Sequence, residues 1–197
     1  MVTLPGPVAL LREIALRGAI EQRALVLVGG PHGAHLADTA EGLGKEVLRL
    51  HVQPGTTHQP DWLATYLGSP EVDTVVMAHA EPGGPPAPLM DLAKVVRRRA
   101  GVHLFVDATH TLGTQPLETD QWGLDLVLAG SEGALGLPGF AFAALSSRLL
   151  ARVRAFDGRG THLDLVAHYE AAERGQSLFP TATEQAEALR LALLARG

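Results

Sequence analysis

The sequence contains no cysteine, and only two of its sixteen Lys and Arg residues are lysines, Lys45 and Lys94. Without cysteine the chain cannot form disulfide bonds, thiolate metal sites or a cysteine nucleophile. The amino terminus lacks the pattern of a signal peptide, and no apolar run approaches the roughly 20 residues of a membrane-spanning helix. The sequence therefore predicts a cytoplasmic protein without a membrane segment, in which any catalytic lysine is Lys45 or Lys94.

An excess of positive charge is missing as well, because the formal net charge is -5 at pH 7. Proteins that bind nucleic acid through its phosphates usually carry a basic surface. The run from Arg97 through Arg98 to Arg99 closes a predicted helix, where cations complement the helix dipole. We therefore predict no binding to nucleic acid.

Apolar strands alternate with amphipathic helices along the 197 residues, 46% of which are hydrophobic. Strands that are apolar on both faces and separated by helices are typical of a mostly parallel sheet covered on both sides. Right-handed crossovers would place the loops after the strands at one edge, where such sheets bind ligands. The predicted strands are residues 24–28, 45–52, 72–78, 103–106, 126–129 and 140–145, and the predicted helices are residues 8–20, 35–43, 61–67, 89–99, 147–154, 164–173 and 183–195.

Carboxylate and imidazole side chains follow several of these strands. Glu81, Asp107, His110, Glu132 and His32 are the candidates for the shared edge. Such side chains could ligate a divalent cation. The nine histidines show no compact pair spacing on a helix, however, so we predict no metal site.

Two other chemistries have weaker support in the loops. A triad of Ser131, His110 and Asp107 would need a nucleophile elbow, and residues 130–133 lack the Gly-x-Ser-x-Gly form. Residues 29–33, Gly-Gly-Pro-His-Gly, differ from the dinucleotide-binding spacing, and the proline removes a backbone N–H donor. A tight turn is the simpler interpretation of residues 29–33.

Three motifs follow one another in the second half of the chain. Residues 107–113 read Asp-Ala-Thr-His-Thr-Leu-Gly, residues 122–125 read Trp-Gly-Leu-Asp, and residues 130–135 read Gly-Ser-Glu-Gly-Ala-Leu. This succession resembles the large domain of class V aminotransferases, which are pyridoxal phosphate (PLP) enzymes of fold type I. The resemblance covers nearly all of the chain and is strongest over residues 72–146. It implies a three-layer α/β/α sandwich with a mostly parallel, seven-stranded sheet.

The resemblance also assigns the site residues. In the family an Asp-Ala-x-x-x-x-Gly segment holds the pyridine nitrogen, which points to Asp107, and an aromatic ring that stacks on PLP is replaced by His32. The family's Schiff-base lysine, in Gly-Ser-Gln-Lys-Ala-Leu, is Gly133 here. The predicted remnant of the cofactor site comprises Asp107, His32, Thr109, Ser131 and Glu132.

The family's phosphate-binding groups are changed as well. The resemblance places Val8 and Ala9 where the family has a Gly-Thr pair at a helix amino terminus, which loses a hydroxyl donor and a permissive glycine. Glu132 takes the place of a glutamine that touches the phosphate, and its charge would repel that group. The resemblance further divides the chain into a large domain, residues 1–155, and a helical carboxyl-terminal extension, residues 156–197, which is a remnant of the run into an absent small domain.

The predicted function is that of an alanine-glyoxylate or serine-pyruvate aminotransferase relative without transaminase activity, since an amine must hold the cofactor and move the proton. PLP is the family's cofactor, but we expect none to be bound. The alternative is a non-catalytic binding or interaction protein that uses the vacated cleft for a partner chain, a small ligand or a divalent metal. The family's active site lies at a dimer interface, so we predict a homodimer. A full-length aminotransferase is the second candidate partner.

Overall fold

The computed structural model of the chain describes residues 1–53, 55–68, 71–133, 136–156, 161–180 and 183–195. Within these ranges the strands are β1 (Val2–Pro5), β2 (Arg23–Val28), β3 (Glu46–His51), β4 (Thr74–Ala78), β5 (His103–Asp107), β6 (Leu126–Gly130) and β7 (Phe140–Leu145). The helices are α1 (Val8–Ala19), α2 (Pro31–Gly42), α3 (Pro60–Tyr66), α4 (Leu89–Arg97), α5 (Thr119–Trp122), α6 (Ser147–Val153), α7 (Leu165–Glu173) and α8 (Thr183–Leu194). None of the described helices combines the length and the hydropathy that crossing a bilayer requires.

The described strands form one seven-stranded sheet in the order β1-β7-β6-β5-β4-β2-β3. Strands β2 to β6 pair in parallel, whereas β7 pairs antiparallel with both β6 and β1. The prediction of a mostly parallel, seven-stranded sheet is confirmed. Because β2 to β6 run the same way, the loops that follow β2, β4, β5 and β6 lie at one edge of the sheet.

The two faces of the sheet are covered by two separate hydrophobic cores. On β2, Ala24, Val26 and Val28 belong to the core shared with α1, α2, α6 and α7, while Leu25 and Leu27 belong to the core shared with α3 and α4. Successive side chains of a strand point to opposite faces, so a strand buried on both faces must be apolar throughout. The three-layer α/β/α sandwich is confirmed.

Three element predictions need correction. Strand β1 was not predicted, because four residues at the sheet edge give too short a pattern to show a period. Helix α2 begins at Pro31 rather than at residue 35, since a proline in the first turn fits a helix start. The connector before β6 contains the short helix α5, which ends at Gly123 with a left-handed φ of 67°.

Of the helices after residue 155, α7 meets the first core. Helix α7 buries Leu165 and Val166 in that core, next to α1 and β1. Residues 157–160, 181–182 and 196–197 of the predicted extension lie outside the described residues. The division of the chain at residues 155 and 156 stays a prediction.

Candidate functional site at the carboxyl edge of the sheet

Asp107, the last residue of β5, is the centre of the site, and its side chain is completely buried. Its Oδ1 accepts hydrogen bonds from the Thr109 backbone N at 2.9 Å and from Thr109 Oγ1 at 2.6 Å. The Thr109 hydroxyl in turn accepts from the Gly130 backbone N at 3.3 Å, where β6 ends. Asp107 and Thr109 therefore connect the ends of two neighbouring parallel strands.

Arg12 of α1 forms a buried ion pair with Asp107. Its Nε and Nη2 both lie 2.8 Å from Asp107 Oδ2, and its side chain is only 7% exposed. Sequence reasoning missed this residue. Its position in the sequence could have revealed it, because Arg12 is spaced to lie on the same buried helix face as Val8, Leu16 and Ala19. A charge on an apolar stripe indicates a buried counter-charge elsewhere in the fold.

His32, in the first turn of α2, is the second side chain against this carboxylate. Its Nε2 lies 3.1 Å from Asp107 Oδ2, although the two atoms do not form a well-aligned hydrogen bond. The edge of the His32 ring meets His110, with ring centroids 5.1 Å apart and an interplanar angle of 74°. Asp107, Thr109, His32 and His110, singled out from the sequence, are therefore brought together, and Arg12 joins them.

Glu81, which follows β4, holds the amino terminus of α2. Its two carboxylate oxygens accept the backbone N–H groups of His32 and Gly33, each at 2.8 Å. A carboxylate is favoured there by the free N–H groups and by the helix dipole. A side chain at Gly30 would come within 2.9 Å of the Glu81 carboxyl carbon, so the glycine is needed for this close approach. Residues 29–33 are thus a turn that receives a carboxylate of the chain itself.

The charges of the site stabilise one another. Burial would raise the pKa of the Asp107 carboxyl, but its contact with His32, the charge of Arg12 and the Thr109 bonds outweigh burial and hold this pKa well below its usual range. The pKa of His110 is lowered, first by burial and then by its neighbours His32 and Arg12, which together with burial outweigh the opposing charge of Asp107. Asp107 is therefore an anion whose charge is already compensated.

Ser131 and Glu132 do not share the contacts of this cluster. The Ser131 hydroxyl donates to the Leu137 carbonyl oxygen and accepts from the Phe140 backbone N, so it closes its own loop. Glu132 lines a cavity of about 460 Å³ beside Pro5 and Pro7, where α1 begins. An anion bound at this helix terminus would therefore lie close to a carboxylate.

Gly133 packs directly on the backbone of Thr109. A Cβ at position 133 would overlap the Thr109 carbonyl oxygen and would come 3.0 Å from its carbonyl carbon. The loop in this conformation has no room for any side chain at the position where the family's lysine would stand.

Both lysines lie away from the cluster. The Lys45 ammonium donates to the Glu21 carbonyl oxygen at 3.2 Å, at the amino end of the parallel strands. Lys94 pairs with Asp91 at 2.9 Å on the surface of α4. Neither amine is directed at Asp107, which lies at the opposite end of the strands from Lys45.

The described residues contain no group of three His, Asp or Glu side chains arranged to hold a metal ion. Both Glu81 oxygens face backbone N–H groups, and the Asp107 carboxylate faces Arg12. The convergence of five ligands considered from the sequence therefore does not form a metal centre here.

The comparisons with known proteins identify the family. The model of the family described as Aminotransferase class-V matches residues 15–188. This chain belongs to the class V aminotransferases. A 2-aminoethylphosphonate–pyruvate transaminase from Aeromonas hydrophila is 30% identical over 181 residues, which are 88% of this chain and 46% of that protein. The resemblance drawn from the three motifs is confirmed.

Solved structures of class V aminotransferases share the fold. The alanine–glyoxylate aminotransferase of Nostoc sp. is 27% identical with a TM-score of 0.86, covering 98% of this chain and 53% of that one. The pyridoxamine-pyruvate aminotransferase of Mesorhizobium loti is 24% identical with a TM-score of 0.88, covering 99% of this chain and 52% of that one. The chain spans about half the length of the curated relatives that it matches.

Class V membership implies PLP, and the residues present do not fit that cofactor bound as an imine. The resemblance places the family's lysine at Gly133, where a side chain would overlap the Thr109 carbonyl oxygen. The carboxylate that would face the pyridine nitrogen is bound by Arg12. The helix start that would receive the phosphate has Pro7 as its N-cap, which offers no N–H, with Glu132 beside it.

Proposed function

We propose that this chain is a class V aminotransferase domain that does not catalyse transamination. The observation that carries the proposal is Gly133, whose Cα lies so close to the Thr109 carbonyl that no side chain can be accommodated. Transamination needs a lysine amine to hold the cofactor and to move the proton at the reacting carbon. Position 133 therefore lacks the amine, and the fold around it leaves no space for one.

The surroundings of Gly133 support the same conclusion. Lys45 and Lys94 have partners elsewhere, and the basic group closest to Asp107 is a guanidinium, which stays protonated in proteins and cannot form an imine at neutral pH. Glu132 opposes a phosphate at the start of α1. The absence of a lysine amine removes imine formation, and the Glu132 charge disfavours phosphate binding. Each change therefore affects a different requirement of the transamination that the relatives' names describe.

The experiment is a search for an imine and for turnover in the purified chain. PLP is added, the visible absorbance band is recorded, and borohydride trapping is followed by mass spectrometry. Turnover is measured with alanine plus glyoxylate and with 2-aminoethylphosphonate plus pyruvate, the substrate pairs in the relatives' names. We expect neither a site-specific adduct nor product.

The variants Lys45→Arg and Lys94→Arg are the controls for adventitious labelling. An adduct on one lysine that disappears in its arginine variant, together with turnover that disappears with it, would refute the proposal. An adduct without turnover is surface labelling and is consistent with it.

A second candidate role is that of a non-catalytic subunit, either in a homodimer or on a full-length aminotransferase. It is supported by apolar side chains that stay exposed on α8, where Leu191, Leu193 and Leu194 are 54%, 50% and 65% accessible. Light scattering of the purified chain tests the homodimer, and a monomer at all concentrations would refute it. Copurification of a class V aminotransferase with the tagged chain tests the other pairing, and loss of the partner on replacing Leu191 and Leu194 with Lys would support it.

A further inference from the structure

The strongest unassigned feature is the guanidinium of Arg12 inside the cleft. Arg12 and Asp107 come from positions 95 residues apart, and both side chains are buried at the carboxyl edge of the sheet. The resemblance to class V aminotransferases places a pyridinium nitrogen against this carboxylate. In this chain a fixed cation of the protein has taken that contact.

We propose that Arg12 acts as an internal substitute for the cofactor's pyridinium and thereby closes the ring site to vitamin B6 compounds, whether or not a lysine is present. The inference rests on the proposed function in one respect only: it takes this cleft to correspond to the PLP site of class V aminotransferases. It assigns to one residue the loss of noncovalent cofactor binding, which the absence of the lysine does not explain by itself.

The first support is the hydrogen-bonding capacity of the carboxylate. An ionised carboxylate offers about four lone-pair sites. Thr109 uses two of them through its backbone N and its hydroxyl, Arg12 Nε uses a third, and Arg12 Nη2 makes an ion-pair contact with the same oxygen as Nε. His32 adds a fifth contact at 3.1 Å. A pyridinium N–H would have to displace one of these donors.

The second support is the charge. The single negative charge of Asp107, whose side chain is completely buried, is matched by the single positive charge of Arg12, whose side chain is 7% exposed. A further cation would lie beside Arg12 without an unpaired anion, and like charges repel strongly at short range in a buried site. The lowered pKa of His110 agrees with this, since burial and then its neighbours His32 and Arg12 disfavour positive charge on that ring.

Replacing Arg12 therefore should free the carboxylate for a new cation. The variants are Arg12→Met, which keeps most of the side-chain length without charge, and Arg12→Gln, which keeps a polar end. The probes are pyridoxamine and pyridoxamine 5′-phosphate, which carry an amine in place of the aldehyde and cannot form an imine with a lysine. The unphosphorylated probe avoids repulsion by Glu132. Binding is measured by calorimetry at pH 8 and by the shift in Tm.

We expect the natural chain to show no saturable binding of either probe at millimolar concentration, and Arg12→Met to bind pyridoxamine at least tenfold more tightly than the natural chain. The matched control is Arg12→Met combined with Asp107→Asn, which removes both charges and should bind no better than the natural chain. If the single variants are unfolded, pyridoxamine should restore their folding, because it resupplies the missing cation.

Three results would overturn the inference. They are saturable binding to the natural chain, absence of binding to folded Arg12 variants, and failure of the probe to rescue unfolded ones. None of them requires transaminase activity, whereas the proposed function fails only on an imine with turnover. The two proposals can therefore fail separately.

Discussion

Gly133 is a packing residue of the fold as well as the basis of the proposed loss of transamination. Its Cα lies against the Thr109 carbonyl, and Thr109 in turn holds Asp107. The loop after β6 can approach the loop after β5 this closely because position 133 has no Cβ. The residue that the resemblance places at the family's lysine position is therefore part of the contact between two loops of the site.

This contact predicts the effect of a minimal side chain. Gly133→Ala should lower the free energy of unfolding by about 1–3 kcal/mol, the usual cost of forcing an extra carbon into a packed site, measured by urea denaturation. Gly42→Ala is the matched control, because a Cβ there, at the end of α2, meets nothing within 4 Å. It should be neutral or stabilising by up to about 1 kcal/mol. Equal stability of the two variants would show that Gly133 is not tightly packed.

The residues of the site differ in how far the sequence predicts them. Asp107 was found because it belongs to a contiguous motif with defined spacing, and His32 because the resemblance places it where the family has a stacking aromatic ring. Arg12 was missed because its partner is 95 residues away and no local pattern joins the two. Ser131 was assigned to the cofactor remnant by resemblance, yet its hydroxyl closes its own loop. Side-chain direction within a loop depends on packing that the sequence pattern does not encode.

At the scale of elements, the strands of five or six residues were predictable from the sequence, and the four-residue edge strand β1 was not. Strands β2, β4, β5 and β6 are apolar on both faces, which produces a clear signal between helical stretches. Strand β1 has four residues and ends in Pro5, so its place beside β7 depends on tertiary pairing. Local propensity therefore predicts β2 to β7, including the antiparallel strand β7, but not the four-residue edge strand β1.

The junction of Glu81 with α2 is an element-scale interaction that can be tested. Glu81→Gln keeps the shape but replaces one charge-assisted acceptor, so it should destabilise the protein by about 1–2 kcal/mol. Hydrogen exchange should locate the loss at the amides of residues 32–34, the first turn of α2. Glu173→Gln, an exposed change at the end of α7, should stay within about 0.5 kcal/mol of the natural chain. Unchanged exchange at α2 would contradict the anchoring role of Glu81.

Across the whole molecule, charged side chains at both edges of the sheet are paired with groups of the chain itself. At the amino edge, Asp73 accepts the backbone N–H groups of Gln22 and Arg23, each at 2.7 Å, and Arg152 donates to the Asp73 carbonyl oxygen at 3.0 Å. At the carboxyl edge, Arg12 compensates Asp107. Both edges thus use donors of the chain itself, so these charges favour one folded state.

The arrangement at the amino edge predicts how stability depends on pH. His103, at the start of β5, has its pKa lowered to about 4, first by burial and then by the positive charge of Arg152. The unfolded chain, with an ordinary histidine pKa of about 6.5, binds more protons than the folded chain between the two values. The contribution of His103 is therefore fully present above pH 6.5 and is lost as the pH falls toward 4.

Replacing this imidazole should flatten that part of the stability profile. The difference between the folded and unfolded pKa values of His103 is equivalent to about 3 kcal/mol. Between pH 6.5 and pH 4 the free energy of unfolding of His103→Leu should therefore fall by about 3 kcal/mol less than that of the natural chain. Urea denaturation at several pH values measures the difference. Below pH 4 the two profiles should run in parallel, because the lowered carboxyl pKa of Asp73, Asp107 and Asp125 governs that range in both proteins. An identical slope in the two proteins between pH 4 and 6.5 would exclude His103 as the group responsible.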